Sequence, residues 1–254
     1  VCLDTFSANR FVVFEKESNA FSLVSDNKII NILIDKEDQR GIHIAAENLC
    51  EDFSQVFGMK PQLRTEISDE NCIIVGSLNS KYIKQLIQKE KLEKKQLQGK
   101  NEKYIITTVD APFNGVKKAL VIAGSDRRGT IYGVYELSKQ LGVSPWYWWM
   151  DVPVVKRTEA YILPGIYTDG EPAVKYRGIF LNDEAPCLTS WVKQYYGTDF
   201  GDHRFYAQVC ELILRLKGNF LWPAMWGWAF YADDSLNSKT ADEMGVIIGT
   251  SHHE

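Results

Sequence analysis

Two adjacent acids follow a short apolar segment in "YRGIFLNDEAP", residues 176–186. The apolar run 179–181 predicts a buried strand, and Asp183 and Glu184 stand where that strand ends. An acid after a strand is a common turn or helix-capping residue. At the carboxyl end of a barrel strand, however, a carboxylate can carry acid–base catalysis. Taken alone, the segment leaves both interpretations open.

Tryptophan is confined to the later part of the chain. Its seven positions are Trp146, Trp148, Trp149, Trp191, Trp222, Trp226 and Trp228. Flat aromatic rings stack on the C–H faces of sugars, but they are also good packing material between elements. We take Trp146, Trp222 and Trp226 as candidate sugar-binding residues, with interdomain packing as the alternative.

Two further clusters carry weaker signals. His252 and His253 are neighbours on a predicted strand, where side chains alternate between faces, so they do not predict a shared metal site. Arg127 lies in "GSDRRG", which lacks the Lys-Ser/Thr ending of a P-loop. The G-x-S-x-G and HExxH motifs are absent. We therefore predict neither a metal nor a cofactor.

Composition excludes several partner classes. The net charge is −4 and the pI is about 5.7, which gives no basic field for nucleic acid or an anionic membrane. No apolar run approaches the ~18 residues that predict a membrane span, and the first ten residues have neither the basic nor the apolar region of a signal peptide. Five scattered cysteines without a CxxC pair favour buried thiols over zinc ligands or a disulfide framework.

The first part of the chain alternates between strand and helix patterns. This alternation predicts an α/β domain over residues 1–165, built on a mixed sheet with helices packed against it. Residues 143–165 contain several prolines and predict an irregular connection. The predicted strands lie within 10–35, 71–77, 103–110 and 118–126, and the predicted helices within 38–58, 79–100 and 126–142.

Residues 166–254 follow a different order, β-α-β-α-β with short links. Such a unit builds a parallel α/β barrel or a doubly wound sheet. Polar or aromatic clusters end each of its three strands, as at the mouth of a barrel. A (βα)8 barrel needs about 250 residues, and fewer than 90 follow Pro172. We therefore expect the first part of a (βα)8 barrel here, incomplete within this sequence.

Four long motifs resemble a known enzyme family. They are "GSDRRGTIYGVYELSKQLGVSPWYWWMDVPV", "YRGIFLNDEAPCLTSW", "RLKGNFLWPAMWGWAF" and "DEMGVIIGTSHHE". Together they resemble glycoside hydrolase family 115, the xylan α-glucuronidases, over residues 100–254. The resemblance implies a hexosaminidase-like accessory α/β domain, then a (βα)8 catalytic barrel, then further domains.

The resemblance also implies a reaction: inverting removal of 4-O-methyl-glucuronic acid, α-1,2-linked to xylose in glucuronoxylan. Inversion needs two carboxyls about 6.5–9.5 Å apart, a spacing that the neighbours Asp183 and Glu184 do not supply as a pair. Of these two catalytic candidates Asp183 is our first choice, and at least one partner must come from elsewhere. Arg127, His252 and His253 are candidate donors to the uronate carboxylate.

Other interpretations stay open at this point. The chain could be a non-catalytic carbohydrate-binding module, or part of a hexosaminidase-like glycosidase. The expected partners are glucuronoxylan or xylo-oligosaccharides, and a homodimer is one assembly that the resemblance allows. We expect a secreted or periplasmic protein, and no activity from residues 1–254 alone.

Overall fold

A computed structural model describes residues 10–183, 185–223 and 228–249. The chain divides into two compact units, Val1–Asp38 with Ile42–Pro172 and Gln39–Gly41 with Ala173–Glu254. The boundary expected after residue 165 lies a few residues before this division, because a short strand at 166–167 still pairs within the first sheet. Within the described residues, no helix is long and apolar enough to cross a membrane.

The elements up to Pro172 alternate between strands and helices, as the sequence predicts. They include one 3-10 turn at Lys94–Gln96. In chain order the elements are β1 (Val12–Val13), β2 (Phe21–Ser25), β3 (Lys28–Ile29), β4 (Asn31–Ile34), α1 (Arg40–Phe57), β5 (Leu63–Arg64), β6 (Asn71–Ser77), α2 (Lys81–Gln88), β7 (Tyr104–Asp110), β8 (Lys118–Gly124), α3 (Arg127–Leu141), β9 (Ala160–Ile162) and β10 (Ile166–Tyr167).

The main sheet of the first unit has six strands in the order β10-β7-β8-β6-β4-β5. β5, β4, β6 and β8 are parallel, whereas β7 and β10 run antiparallel to their neighbours. The strands β6 and β8 are almost wholly buried, which explains why they appear in the sequence as continuous apolar runs. The predicted mixed sheet with packed helices is confirmed.

A smaller antiparallel sheet has the order β1-β9-β2-β3. Its strand β9 lies inside residues 143–165, so the prediction of an irregular connection there is wrong for these three residues. β9 is buried and pairs with β1 and β2. Its strand conformation comes from partners more than a hundred residues away in sequence, which a local proline-rich pattern does not reveal.

Helix α3 shows how local sequence fixes an element of the first unit. The Asp126 side chain accepts the main-chain N–H of Gly129 at 2.8 Å and caps the helix. Its second carboxylate oxygen accepts the N–H of Glu102 at 2.7 Å. A Cβ on Gly129 would lie 2.4 Å from the Lys103 carbonyl oxygen, so only glycine permits this approach. Gly142 ends the helix in a left-handed conformation, φ 101°.

The second unit contains one three-stranded sheet with the order β11-β12-β13, parallel throughout. The predicted β-α-β-α-β order is confirmed, while the short helices α4 and α6 were not predicted. Its elements are β11 (Gly178–Phe180), α4 (Cys187–Tyr196), α5 (His203–Arg215), β12 (Phe220–Trp222), α6 (Phe230–Asp233), α7 (Leu236–Met244) and β13 (Ile247–Ile248).

A polar clamp sets the register where β11 and β12 begin. The buried Asn219 side chain accepts the N–H of Arg177 at 2.9 Å and donates to the Lys175 carbonyl at 2.7 Å. The Arg177 guanidinium donates to the Lys217 carbonyl at 2.9 Å. A Cβ on Gly178 would meet the neighbouring strand's carbonyl at 1.8 Å. Arg177 therefore stabilises the start of the sheet.

A carboxylate joins the start of α5 to the turn between α6 and α7. One oxygen of Asp234 accepts the His203 main-chain N–H at 3.0 Å and lies 2.7 Å from that residue's Nδ1. The other oxygen accepts the Leu236 N–H at 2.9 Å. These bonds, led by the His203 N–H, lower the pKa of Asp234 from 3.8 to about 2.

This lowered pKa predicts an acid-sensitive contribution to stability. Because the folded pKa lies below the unfolded value, the carboxylate stabilises the fold above pH 3.8 and loses that effect as the pH falls toward 2. We expect Asp234→Asn to lower the free energy of unfolding in urea at pH 7, with a smaller difference from wild type below pH 4. The surface change Glu90→Gln is the control. A difference that is independent of pH would contradict this assignment.

Candidate functional site

Asp183 lies just after β11 and is almost wholly buried, 1% exposed. Its Oδ2 accepts the main-chain N–H of Trp228 at 3.0 Å, and its carbonyl oxygen accepts the Thr189 hydroxyl at 2.6 Å. The side chain thus links the segment after β11 with the segment after β12. Asp183 is therefore more than a surface turn residue, since its carboxylate joins two separate loops.

The strands β11, β12 and β13 end at one edge of their sheet, because parallel strands share a direction. We call this the carboxyl edge and define it by Asp183, Trp222 and Gly249. Main-chain bonds continue the sheet to this point, from Leu181 N–H to the Trp222 carbonyl at 2.9 Å and from Gly249 N–H to the Leu221 carbonyl at 2.9 Å. In open and closed α/β sheets, this edge is where ligands bind.

The indole of Trp228 fixes the connection between α4 and α5 at this edge. Its Nε1–H donates to the Asp199 carbonyl at 2.8 Å, and its ring packs edge-on against the buried ring of Phe205, 6.0 Å between centroids. Trp228 is itself buried, with 6% exposed. The carboxylate of Asp183 therefore binds the main-chain N–H of Trp228, and the buried indole of Trp228 holds that N–H in place.

An aromatic pair stands beside Asp183 on the strands themselves. Phe180 and Trp222 are register partners on β11 and β12, and their rings meet edge-to-face with centroids 5.6 Å apart. They are 45% and 42% exposed, respectively, so the prediction of a buried strand at 179–181 is wrong for Phe180. Aromatic rings and a buried carboxylate at the ends of the same strands are groups that can stack on an apolar ring face and accept a hydrogen bond, respectively.

Two other sequence candidates lie in the first unit and four lie outside the described residues. Arg127 is half-buried at the start of α3, and Trp146 is 41% exposed in the turn region after that helix; both belong to the first unit. The candidates outside the described residues are Glu184, Trp226, His252 and His253. Of the candidates in the second unit, the structure therefore describes the positions of Asp183 and Trp222, which lie at the carboxyl edge. Their roles stay predictions.

Sequence reasoning missed two parts of this edge. It named Trp228 only for its aromatic ring, whereas the main-chain N–H of that residue is what Asp183 binds. It also missed α4, although the run from Cys187 to Tyr196 closes with Gly197 in a left-handed conformation, a recognisable helix-ending signal. Within residues 10–183, 185–223 and 228–249, no three potential metal ligands lie together.

Two family models match the chain. Glycosyl hydrolase family 67 N-terminus matches residues 18–137, and Glycosyl hydrolase family 115 matches residues 169–254. Apart from residues 39–41 and 169–172, the two matches fall in the first and second structural unit, respectively. No curated protein sequence matches significantly.

Solved structures of carbohydrate-active enzymes are similar to this chain. A family GH115 4-O-methyl-α-glucuronidase with specificity for decorated arabinogalactans is 31% identical, with a TM-score of 0.77, over 91% of this chain and 30% of that chain. A GH138 enzyme targeting pectin rhamnogalacturonan II is 15% identical with a TM-score of 0.50, over 87% of this chain and 24% of that one. A β-hexosaminidase from Streptomyces plicatus is 10% identical with a TM-score of 0.51, over 91% and 42%.

The last two likenesses, below 25% identity, show the fold alone. The fold of this chain is thus similar to that of part of a β-hexosaminidase. The chain spans about a third of the length of the GH115 structure that it matches. The resemblance indicated by the sequence motifs is confirmed by the family match and by this structural likeness: residues 169–254 match the model of glycosyl hydrolase family 115.

Proposed function

We propose that this chain is part of an α-glucuronidase that removes glucuronic acid or its 4-O-methyl ether from a plant polysaccharide. The observation that carries the proposal is the 31% identity to a GH115 4-O-methyl-α-glucuronidase over 91% of this chain. The buried acid and exposed aromatic pair at the carboxyl edge supply groups that such a reaction needs. A secreted or periplasmic location fits a polymeric substrate.

The parallel sheet of the second unit supports a barrel interpretation. β11, β12 and β13 are adjacent in the order in which they follow one another along the chain, and helices intervene between them. This is the arrangement of successive strands in a (βα)8 barrel. We propose that they are its first three strands, so that Asp183 and Trp222 lie at the mouth of the catalytic barrel.

Asp183 is suited to positioning the substrate or a water molecule. One of its oxygens already accepts a main-chain N–H, which fixes the direction of the carboxylate, and the Asp183 side chain is almost wholly buried. An inverting glycosidase needs a general acid and a base about 6.5–9.5 Å apart on opposite faces of the sugar. We assign Asp183 to holding a sugar hydroxyl or the water, with at least one member of the acid–base pair supplied by other strands.

Two plant polysaccharides are candidate substrates. The resemblance of the motifs favours glucuronoxylan, in which the uronic acid is α-1,2-linked to xylose. The similar GH115 structure instead has specificity for decorated arabinogalactans. We therefore keep glucuronidated arabinogalactan as a second candidate substrate of the same active site.

Release of the free uronic acid from each polymer tests the proposal. The full natural chain should release 4-O-methyl-glucuronic acid from glucuronoxylan, or the uronic acid from arabinogalactan, and the preferred polymer should give the faster release. Unsubstituted xylan and galactan are the controls, since they carry no uronic acid. Tight binding of these polymers without any release would instead favour a carbohydrate-binding module.

Replacing Asp183 with asparagine tests the assigned acid. Asparagine has nearly the same shape and can still accept the Trp228 N–H, so the fold should persist. We expect the rate of uronic acid release to fall by about two to four decades, the range for a positioned acid–base group.

The change Glu243→Gln is the matched control. It also removes one carboxylate, but Glu243 is partly exposed and lies near the end of α7, where it pairs with Lys239 of the same helix. Thermal melting of both variants separates loss of fold from loss of function. Near-normal release by a folded Asp183→Asn variant would remove Asp183 from the active site.

A further inference from the structure

Two aromatic rings of α4 lie stacked at the surface of the second unit. The centroids of Trp191 and Tyr195 are 5.2 Å apart, with 15° between the ring planes. Tyr195 is 59% exposed, while Val192 is the buried side chain of the helix. A large aromatic ring held flat and exposed contributes little to a core, and such rings are typical of binding surfaces. We call Trp191 and Tyr195 the aromatic platform.

The platform is connected to the carboxyl edge by a series of direct contacts. Trp191 packs against Phe205 with centroids 6.4 Å apart, and Phe205 packs against Trp228 at 6.0 Å. The main-chain N–H of Trp228 then binds the Asp183 carboxylate at 3.0 Å. α4 lies in the segment that connects β11 with β12, and Asp183 lies in the same segment just before α4.

The charges around the platform are balanced. The Lys193 ammonium lies 2.6 Å from an Asp199 carboxylate oxygen, and the Arg204 guanidinium lies 2.6 Å from an Asp202 oxygen. Arg204 also stacks on the ring of Tyr196, 5.5 Å from its centroid. Because each of these cations has an acidic partner, residues 185–205 present no excess positive charge to a uronate. The chemistry around the platform fits an uncharged sugar.

We infer that the aromatic platform binds the neutral backbone of the polysaccharide, beside the uronic acid branch that the active site takes. This inference rests on the proposed function and adds a second binding surface to it. The C–H faces of backbone sugars would cover the exposed ring of Tyr195 and release water from both surfaces. Contact with a long backbone would raise the affinity for the polymer. It would add little to the affinity for a short glucuronide, which has no such backbone.

Replacement of Tyr195 tests the platform. In the full natural chain, Tyr195→Ala should weaken retention by soluble unsubstituted xylan or galactan in affinity gel electrophoresis by about three- to tenfold, as expected from the loss of one aromatic contact. The polymer whose retention falls identifies the backbone. Tyr195→Phe keeps the ring and should restore retention. The KM for the branched polymer should rise by a similar factor relative to the KM for a short aryl glucuronide.

Tyr176→Ala is the matched control, because Tyr176 is 52% exposed but precedes β11 and so lies at the opposite end of that strand from Asp183. Equal retention of wild type and Tyr195→Ala, or no retention of either, would overturn the platform. So would an equal loss from Tyr176→Ala, or a change in oligomeric state alone. If no glucuronide is hydrolysed, the proposed function fails, and the retention measurements still decide whether the platform binds the backbone.

Discussion

The hydrogen bond from the Trp228 main-chain N–H to the buried Asp183 carboxylate constrains the whole carboxyl edge of the second unit. A buried carboxylate without a donor would be strongly destabilising, so the segments after β11 and β12 must stay together for the chain to keep its fold. The side chain of Trp228 reinforces the arrangement by donating to Asp199 and packing on Phe205. The same bond therefore orders both loops and orients the acid.

The opposite end of the sheet carries the complementary constraint. The Asn219 and Arg177 clamp fixes the starts of β11 and β12, and the close approach at Gly178 allows a single register. With that register set, Phe180 and Trp222 become neighbours at the other end. The strand starts therefore set the register, and the polar and aromatic groups suited to binding a sugar lie where the strands end.

Much of the fold could be predicted because its signals are local. The apolar run of β6, the Asp126 cap and the terminating Gly142 each act within a few residues, so pattern and capping rules were sufficient. β9 was missed because distant partners impose its conformation. Asp183 could be selected from its place after a strand, but its partner could not, since a main-chain N–H carries no sequence signature. The candidates Glu184, Trp226, His252 and His253 lie outside the described residues, and their placement stays a prediction.

The most direct test of this account is a crystal structure of the full natural chain with 4-O-methyl-glucuronic acid bound. The account predicts the sugar at the carboxyl edge, with an Asp183 carboxylate oxygen within hydrogen-bonding distance of a sugar hydroxyl or of an ordered water beside it, and with Trp222 along its ring. The Trp228 N–H should still bind Asp183 in that complex. A sugar bound away from β11 and β12, with Asp183 making only its contacts within the protein, would contradict the account.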